Sequence, residues 1–211
     1  MPRVVRFSLE AVDEAGRIVK SGGAVIYPTD TLYGLGCNPF DSKAVERVYR
    51  LKGRVGKPLP VLSSSLGNVL RVAILDEPAL QLAYSYWPGQ LTLVTRARPE
   101  IVGVLTAGRE SVGVRIPASI QALEIIEASG GLLVGTSANP SGAPAPRRLE
   151  ELDSRLAEAV DLVIDGGPCR FGRPSTVVEV VRGSLRVLRE GAVEVEELRK
   201  WAEEHGLTLN I

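Results

Sequence analysis

An α/β fold, a twisted mixed β-sheet with helices packed on it, is predicted by three observations. Apolar residues recur at helical spacing in some segments and in short continuous runs between them, so helices and strands alternate. A hairpin pattern, 176–181 and 185–188 around Arg182-Gly183-Ser184, breaks a pure βαβ repeat together with adjacent short strands. A chain of 211 residues with 45% hydrophobic and 24% charged residues suits one domain with a good core.

Each element has its own signal. Ser8 can cap a helix that places Leu9, Val12, Ala15, Ile18 and Val19 at helical spacing, and Gly22-Gly23 ends it. A strand over 24–27 follows. Asp41 can cap a second helix with Ala44, Val45, Val48 and Leu51 inward, which runs directly into Lys52-Gly53-Arg54. A short strand over 59–62 precedes Ser63-Ser64-Ser65, which can cap a short helix through Leu70. Pro78 stands in the first turn of the next helix. Trp87-Pro88-Gly89 turns the chain into a strand over 91–95. Another strand over 112–116 is stopped by Pro117, and Ser119 caps a helix over Leu123, Ile125 and Ile126. A buried strand over 132–135, read as central, ends in Thr136-Ser137-Ala138-Asn139 before a Gly/Pro/Ala loop over 140–146. A helix over 149–159, a strand over 162–164, the turn Gly166-Gly167-Pro168, the hairpin and a closing helix over 195–205 complete the chain. With no repeat, low-complexity tract or linker, one domain over 1–211 is expected.

Composition removes several functions. Formal net charge is zero, so any RNA contact must come from a local patch. Arginine outnumbers lysine, which suits an anionic ligand and equally suits a compositional or thermophile bias. Cys37 and Cys169 make neither a metal framework nor a disulfide scaffold. They read as reduced and buried in a cytosolic protein, with a single bridge as the other reading. The N-terminus lacks the apolar run of a signal peptide, and no segment approaches a membrane span, so a soluble cytoplasmic protein is expected. The single histidine, His205, lies in the last helix beside Glu203 and Glu204, which speaks against a histidine triad or a histidine-rich zinc site.

The segment from Tyr27 to Gly36, Tyr-Pro-Thr-Asp-Thr-Leu-Tyr-Gly-Leu-Gly, brings hydroxyls, a carboxylate and two glycines to the end of a buried strand. Lys52 and Arg54 end a helix. They read either as a solvated cationic helix end or as two cations beside a polyphosphate, and on composition alone the first is the stronger. Lys57 and Arg50 could extend that patch. Ser137 and Asn139 follow a strand and read equally as a turn or as a ligand rim. Ser175, after Pro174, either opens a strand or adds a hydroxyl to the same rim, and Arg189 is either solvated or a ligand contact. Trp87 reads as packing. Phosphate-loop and dinucleotide fingerprints fail: Leu51 and Pro58 stand where the first requires glycine and a hydroxyl, and Gly34-Leu35-Gly36 lacks a third glycine.

Taken in order, these pieces resemble the YrdC/YciO family, the threonylcarbamoyl-AMP synthases, in its short single-domain form. The resemblance is carried by 27–36, Lys-Gly-Arg at 52–54, Trp-Pro-Gly at 87–89, Val-Arg-Ile-Pro at 114–117, Thr-Ser-Ala-Asn-Pro-Ser-Gly at 136–142, Gly-Gly-Pro-Cys at 166–169, Pro-Ser-Thr-Val at 174–177 and Leu-Arg-Glu-Gly-Ala at 188–192. It implies a YrdC-like fold with a concave cationic cavity. It also implies that L-threonine, bicarbonate and ATP give threonylcarbamoyl-AMP and pyrophosphate, with Mg²⁺ arriving on ATP. A tRNA-modifying threonylcarbamoyl transferase complex would then act at adenosine 37 of tRNA. The implied roles are catalysis by Lys52 and Arg54, ATP binding by these two with Ser137, Asn139 and Arg189, and a threonine pocket of Thr29, Thr31, Tyr33 and Ser175. Both Lys52 and Arg54 are expected at the surface of a cleft. One departure is Leu62, near the place where many members carry a histidine. Rival implications are a double-stranded RNA or tRNA binder, a domain adenylating another carbamoyl substrate as in the hydrogenase-maturation carbamoyltransferase, and a YciO-type paralogue.

Overall fold

Side-chain oxygens start most of the helices. The computed structural model describes residues 3–53, 56–101, 103–181 and 183–211. Ser8 Oγ accepts the Ala11 N–H at 3.2 Å and opens α1 (Leu9–Lys20). Asp41 Oδ1 accepts from Lys43 and Ala44 at 3.0 and 3.1 Å and opens α2 (Ser42–Lys52). Ser65, Asp76, Ser119 and Asp153 cap α3 (Leu66–Val69), α4 (Glu77–Tyr86), α5 (Ile120–Ala128) and α6 (Ser154–Ala159) in the same way. α7 (Val195–Glu204) follows the hairpin. Gly53 ends α2 with φ of 58°, a left-handed turn that costs glycine nothing.

The helix expected over 149–159 is instead a 3₁₀ turn, Leu149–Glu151, followed by α6. Asp153 explains the break: its carboxylate accepts the Leu156 N–H at 2.8 Å, so a new helix starts there.

The mixed α/β class stands, with the strands divided between two sheets. The smaller has the order β1 (Val4–Arg6), β10 (Leu162–Asp165), β2 (Val25–Tyr27), β3 (Gly34–Gly36), β9 (Thr136–Ser137). Its first three strands are parallel and the rest antiparallel. The larger runs β13 (Thr208–Asn210), β12 (Ser184–Arg189), β11 (Thr176–Val181), β6 (Leu91–Ala97), β7 (Ser111–Arg115), β4 (Val61–Ser63), β8 (Leu132–Val134), and β5 (Ala73–Ile74) pairs with β6. β11 and β12 pair antiparallel as the hairpin pattern requires; Arg182 at its turn lies outside the described residues.

β8 ends the hydrogen-bonded order of its sheet, so the strand before Ser137 is not central as the sequence suggested. The reason is that the chain changes sheets there. It leaves β8, passes Gly135 and joins the smaller sheet as β9. Val134 N–H donates to Cys37 O at 2.9 Å, and Gly135 N–H to Pro60 O at 2.9 Å, so this crossing is bonded on both sides. A side chain at Gly36 would place its Cβ 2.7 Å from Val134 O, so glycine permits the sheets to meet.

Two packed clusters fill the interior, and both draw on strands of the two sheets: Ile26, Leu35 and Val163 of the smaller sheet belong to one, and Leu62 and Leu133 of the larger to the other. Val12, Ala15 and Val19 of α1 and Ile125 and Ile126 of α5 cover Val25, Leu162 and Ile164. Leu82 of α4 and Leu198 and Trp201 of α7 belong to the larger core with Leu91, Leu93, Val114, Val178 and Leu185. Burial of each Val, Leu or Ile among them contributes roughly 1.5–3 kcal/mol.

Candidate active site

A cavity of about 890 Å³ opens where the two sheets meet. Thr29, Thr31, Tyr33 and Ser137 line it from the smaller sheet and its loop, and Thr92, Arg115, Ser175 and Arg189 from the larger. Six of the sequence-selected residues therefore converge. Lys52 and Asn139 are not among its lining residues. Arg54 lies outside the described residues.

The loop after β2 is built by its own hydroxyls. Thr29 Oγ1 donates to Leu32 O at 2.6 Å and accepts the N–H groups of Thr31 and Leu32 at 3.1 and 3.2 Å. With the Thr29 proton so engaged, Thr31 Oγ1 donates to Thr29 Oγ1 across 3.0 Å. Tyr33 hydroxyl donates to Gly167 O at 2.9 Å and accepts from Gly166 N–H at 3.3 Å. Burial raises its pKa well above the usual phenol range, against the lowering effect of the Gly166 N–H. Tyr33 is thus a neutral wall of the cavity, held from behind.

Beneath the loop lies Arg115, 4% exposed. Its Nε donates to Gly89 O at 2.8 Å, Nη1 to Thr31 Oγ1 at 3.0 Å, and Nη2 to Asp30 Oδ1 in a buried ion pair. Asp30 Oδ2 also accepts from Gln90 Nε2 at 2.9 Å. Burial lowers the Arg115 pKa and Asp30 opposes that, while a guanidinium remains charged throughout the working range. Sequence reasoning passed over Arg115 as a site residue. An arginine inside the apolar strand Val112–Ile116, stopped by a proline, was the available signal.

On the opposite wall, Thr92 and Ser175 hydroxyls meet at 2.8 Å. Arg189 Nη2 donates to Ser175 O at 2.7 Å and to Ser175 Oγ at 3.2 Å, so the hairpin's last residue holds the start of β11. Lys57, Arg109 and Arg186 also line the cavity; Arg186 is ion-paired to Glu179. Val-Arg and Leu-Thr pairs within strands carry little signal alone, which is why Thr92 was passed over too.

Lys52 is 3% exposed, which corrects its expected place at the surface of a cleft. The cause is its position in the last turn of α2, where it faces the Ser137–Asn139 segment. Its Nζ donates to Ser137 O at 2.5 Å and to Asn139 O at 2.7 Å, and lies 3.5 Å from Asn139 Oδ1. Ser137 Oγ donates to Asn139 Oδ1 at 2.5 Å, and Asn139 Nδ2 donates to Pro140 O and Ala143 O at 3.0 and 2.6 Å.

Mg²⁺ was implied with ATP, and the donor set here does not make a cage for it. Among the described residues no group of three or more His, Cys, Asp or Glu side chains could hold a metal, and the lining carboxylate Glu179 is paired to Arg186. The thiols are not poised for chemistry either: burial pushes Cys37 to about 12, and Cys169 to about 11 despite the Thr29 N–H beside it. Both are free and buried. Among the described residues no helix is long and apolar enough to cross a membrane.

The profile of the Sua5/YciO/YrdC family, described as "Telomere recombination", matches residues 17–191. The threonylcarbamoyl-AMP synthase of Pyrococcus abyssi is 36% identical over 188 residues, 88% of this chain and 55% of that protein. The threonylcarbamoyl-AMP synthase of Stenotrophomonas maltophilia is 33% identical over 178 residues, 82% of this chain and 96% of that protein. The chain thus spans about half of the first relative and nearly all of the second. The structure of P. abyssi Sua5 complexed with L-threonine matches with a TM-score of 0.88 at 34% identity, over 99% of this chain and 61% of that one. Escherichia coli YciO matches with a TM-score of 0.84 at 28% identity, over 93% and 99%. A profile match across most of the sequence, on a fold shared with both solved relatives, places this chain in the Sua5/YciO/YrdC family.

Proposed function

We propose that the protein is an L-threonylcarbamoyladenylate synthase. It would join L-threonine, bicarbonate and ATP into threonylcarbamoyl-AMP and release pyrophosphate. The observation that carries this reading is the convergence of Thr29, Thr31, Tyr33, Ser137, Ser175 and Arg189 on one cavity large enough for an amino acid and a nucleotide. The threonylcarbamoyl-AMP synthases among its relatives, and a relative's complex with L-threonine, support it.

In this reaction the threonine amine condenses with bicarbonate, losing water, and becomes a carbamate. A carbamate oxygen attacks the α-phosphorus, the bond to the bridging oxygen breaks, and pyrophosphate departs. Charge crowds at one phosphorus, so fixed cations and positioning dominate the catalysis. Arg115 and Thr31, locked by Asp30, form the floor for the threonine carboxylate. Thr29, Tyr33 and Ser175 shape the rest of that pocket. Ser137, Arg189, Lys57 and Arg109 would face the polyphosphate, the lysine and the two arginines giving that side of the cavity positive charge. Arg54, outside the described residues, is given the same role from the family resemblance of the sequence alone. Mg²⁺ would arrive on the nucleotide and would supply charge neutralisation at its phosphates. The product, a reactive acyl phosphate, needs a transferase that delivers the threonylcarbamoyl group to tRNA, in the cytoplasm.

The match to E. coli YciO over 99% of that chain favours a second reading, a paralogue acting on another carbamoyl substrate. Pyrophosphate release from ATP, with threonine and bicarbonate omitted in turn, separates the two. Release that needs both establishes the synthase. Release without threonine supports the paralogue, and ATP binding with no release under any mixture rejects both, leaving a nucleotide or RNA binder.

A further inference from the structure

The geometry points to Lys52 and Asn139 as positioning residues, a buried clamp that shapes the 137–146 loop so that Ser137 faces the cavity. The inference concerns the apo protein and rests on the synthase reading only for the reaction that the loop serves.

A lysine ammonium is strongly hydrated, and burial is tolerated only when oxygens replace its water. Here the oxygens come from one short segment far along the chain: Ser137 O, Asn139 O and, more distantly, Asn139 Oδ1. The backbone of the same lysine adds a fourth tie, Ser141 N–H to Lys52 O at 2.8 Å. Asn139 completes the clamp from inside. Its Oδ1 takes the Ser137 hydroxyl proton, and both of its amide protons go to carbonyls of the loop, Pro140 O and Ala143 O. Tyr33 anchors the loop at both ends, with its O accepting from Ala138 N–H and its N–H donating to Pro146 O, each at 2.9 Å.

Lys52 and Asn139 are both nine-tenths or more buried, and neither lines the cavity, whereas Ser137 between them in the network does. A triphosphate ligand would need its charge turned toward the cavity. A clamp needs it turned toward the loop carbonyls, as found. The Ser-x-Asn signature then divides into a bracing member, Asn139, and a facing member, Ser137, with Lys52 bracing beside Asn139.

Two measurements test this. In the wild-type protein without ligand, reductive methylation should modify Lys52 at least tenfold more slowly than Lys43, which is exposed and lies outside the cavity lining, and ATP should not change that ratio. Labelling of Lys52 at the rate of Lys43, with protection on adding ATP, would overturn the clamp. In Lys52→Met, hydrogen exchange of the Ala138, Ser141 and Ala143 amides should rise at least tenfold in the absence of ligand. The KM values for ATP and threonine should then worsen together, with Lys52→Arg recovering part of both. Unchanged loop exchange with a rise confined to the KM for ATP would show Lys52 to be a nucleotide ligand. If Lys52→Met does not fold, the labelling result decides alone. Labelling and exchange need no turnover, so either can fail while the synthase reading stands.

Discussion

Arg115 and Asp30 show how a single buried pair sets the floor of a site. Both side chains are almost fully buried, and each has further partners: Gly89 O and Thr31 for the guanidinium, Gln90 for the carboxylate. Such a pair adds little over an apolar replacement, yet removing one partner strands the other charge in a low-dielectric interior. Arg115→Met is expected to lower unfolding free energy by about 3–5 kcal/mol, read from urea denaturation. Asp30→Asn keeps an acceptor for one N–H and should cost less. Equal costs for the two variants, or less than about 1 kcal/mol for Arg115→Met, would show that solvent reaches the pair. At this scale the sequence was half legible. The hydroxyls at 29 and 31 were readable because a polar turn after an apolar strand has few other uses. Arg115 was not, because its partner lies 85 residues away and nothing local marks an arginine as buried.

At the scale of elements, local chemistry was the readable part. Side-chain caps at Ser8, Asp41 and Ser119 start helices where the pattern places them. Short strands were not readable. β1, β5 and β13 are two or three residues long, and β1 and β13 lie at sheet ends with exposed positions, so they lack an alternating signal. β3 is Gly-Leu-Gly, which reads as a turn until a second sheet crowds against it. That crowding yields an element-scale expectation. A methyl at position 36 would sit 2.7 Å from Val134 O, 2.8 Å from Leu133 Cγ and 2.9 Å from Tyr27 Cε1. Backbone and a core ring cannot both yield, so Gly36→Ala should cost about 1–3 kcal/mol. It should also raise the KM for threonine, because β3 follows directly from Tyr33. A variant as stable as wild type by thermal unfolding would mean that the sheets can part at this point without loss.

The molecule as a whole joins two sheets across one crossing, and the groups buried there give it a pH dependence. Cys37 is fully buried beside that crossing, where its carbonyl accepts the Val134 N–H. Burial pushes its thiol to about 12, with Asp41 adding to the rise and Arg47 opposing it. Tyr27, whose hydroxyl donates to Val134 O at 3.2 Å, is raised above the usual phenol range by burial, against the pull of Arg115. In the unfolded chain a thiol ionises near pH 8.5 and a phenol near 10. Between these values and the folded ones, the unfolded state has lost protons that the folded state keeps. It then binds fewer protons, so unfolding free energy falls as pH rises. Below about pH 8.5 neither group contributes to the slope. At pH 10 the Cys37 share alone amounts to about 2 kcal/mol, one and a half pH units above the unfolded value. Cys37→Ala removes the titrating group at the cost of a small void, so it should be less stable than wild type at pH 7.5. That deficit should shrink or reverse at pH 10. Urea midpoints of both proteins at the two pH values decide the matter. A deficit of the same size at both would show that the thiol ionises in place, and that the crossing between the sheets is wetter than its packing implies.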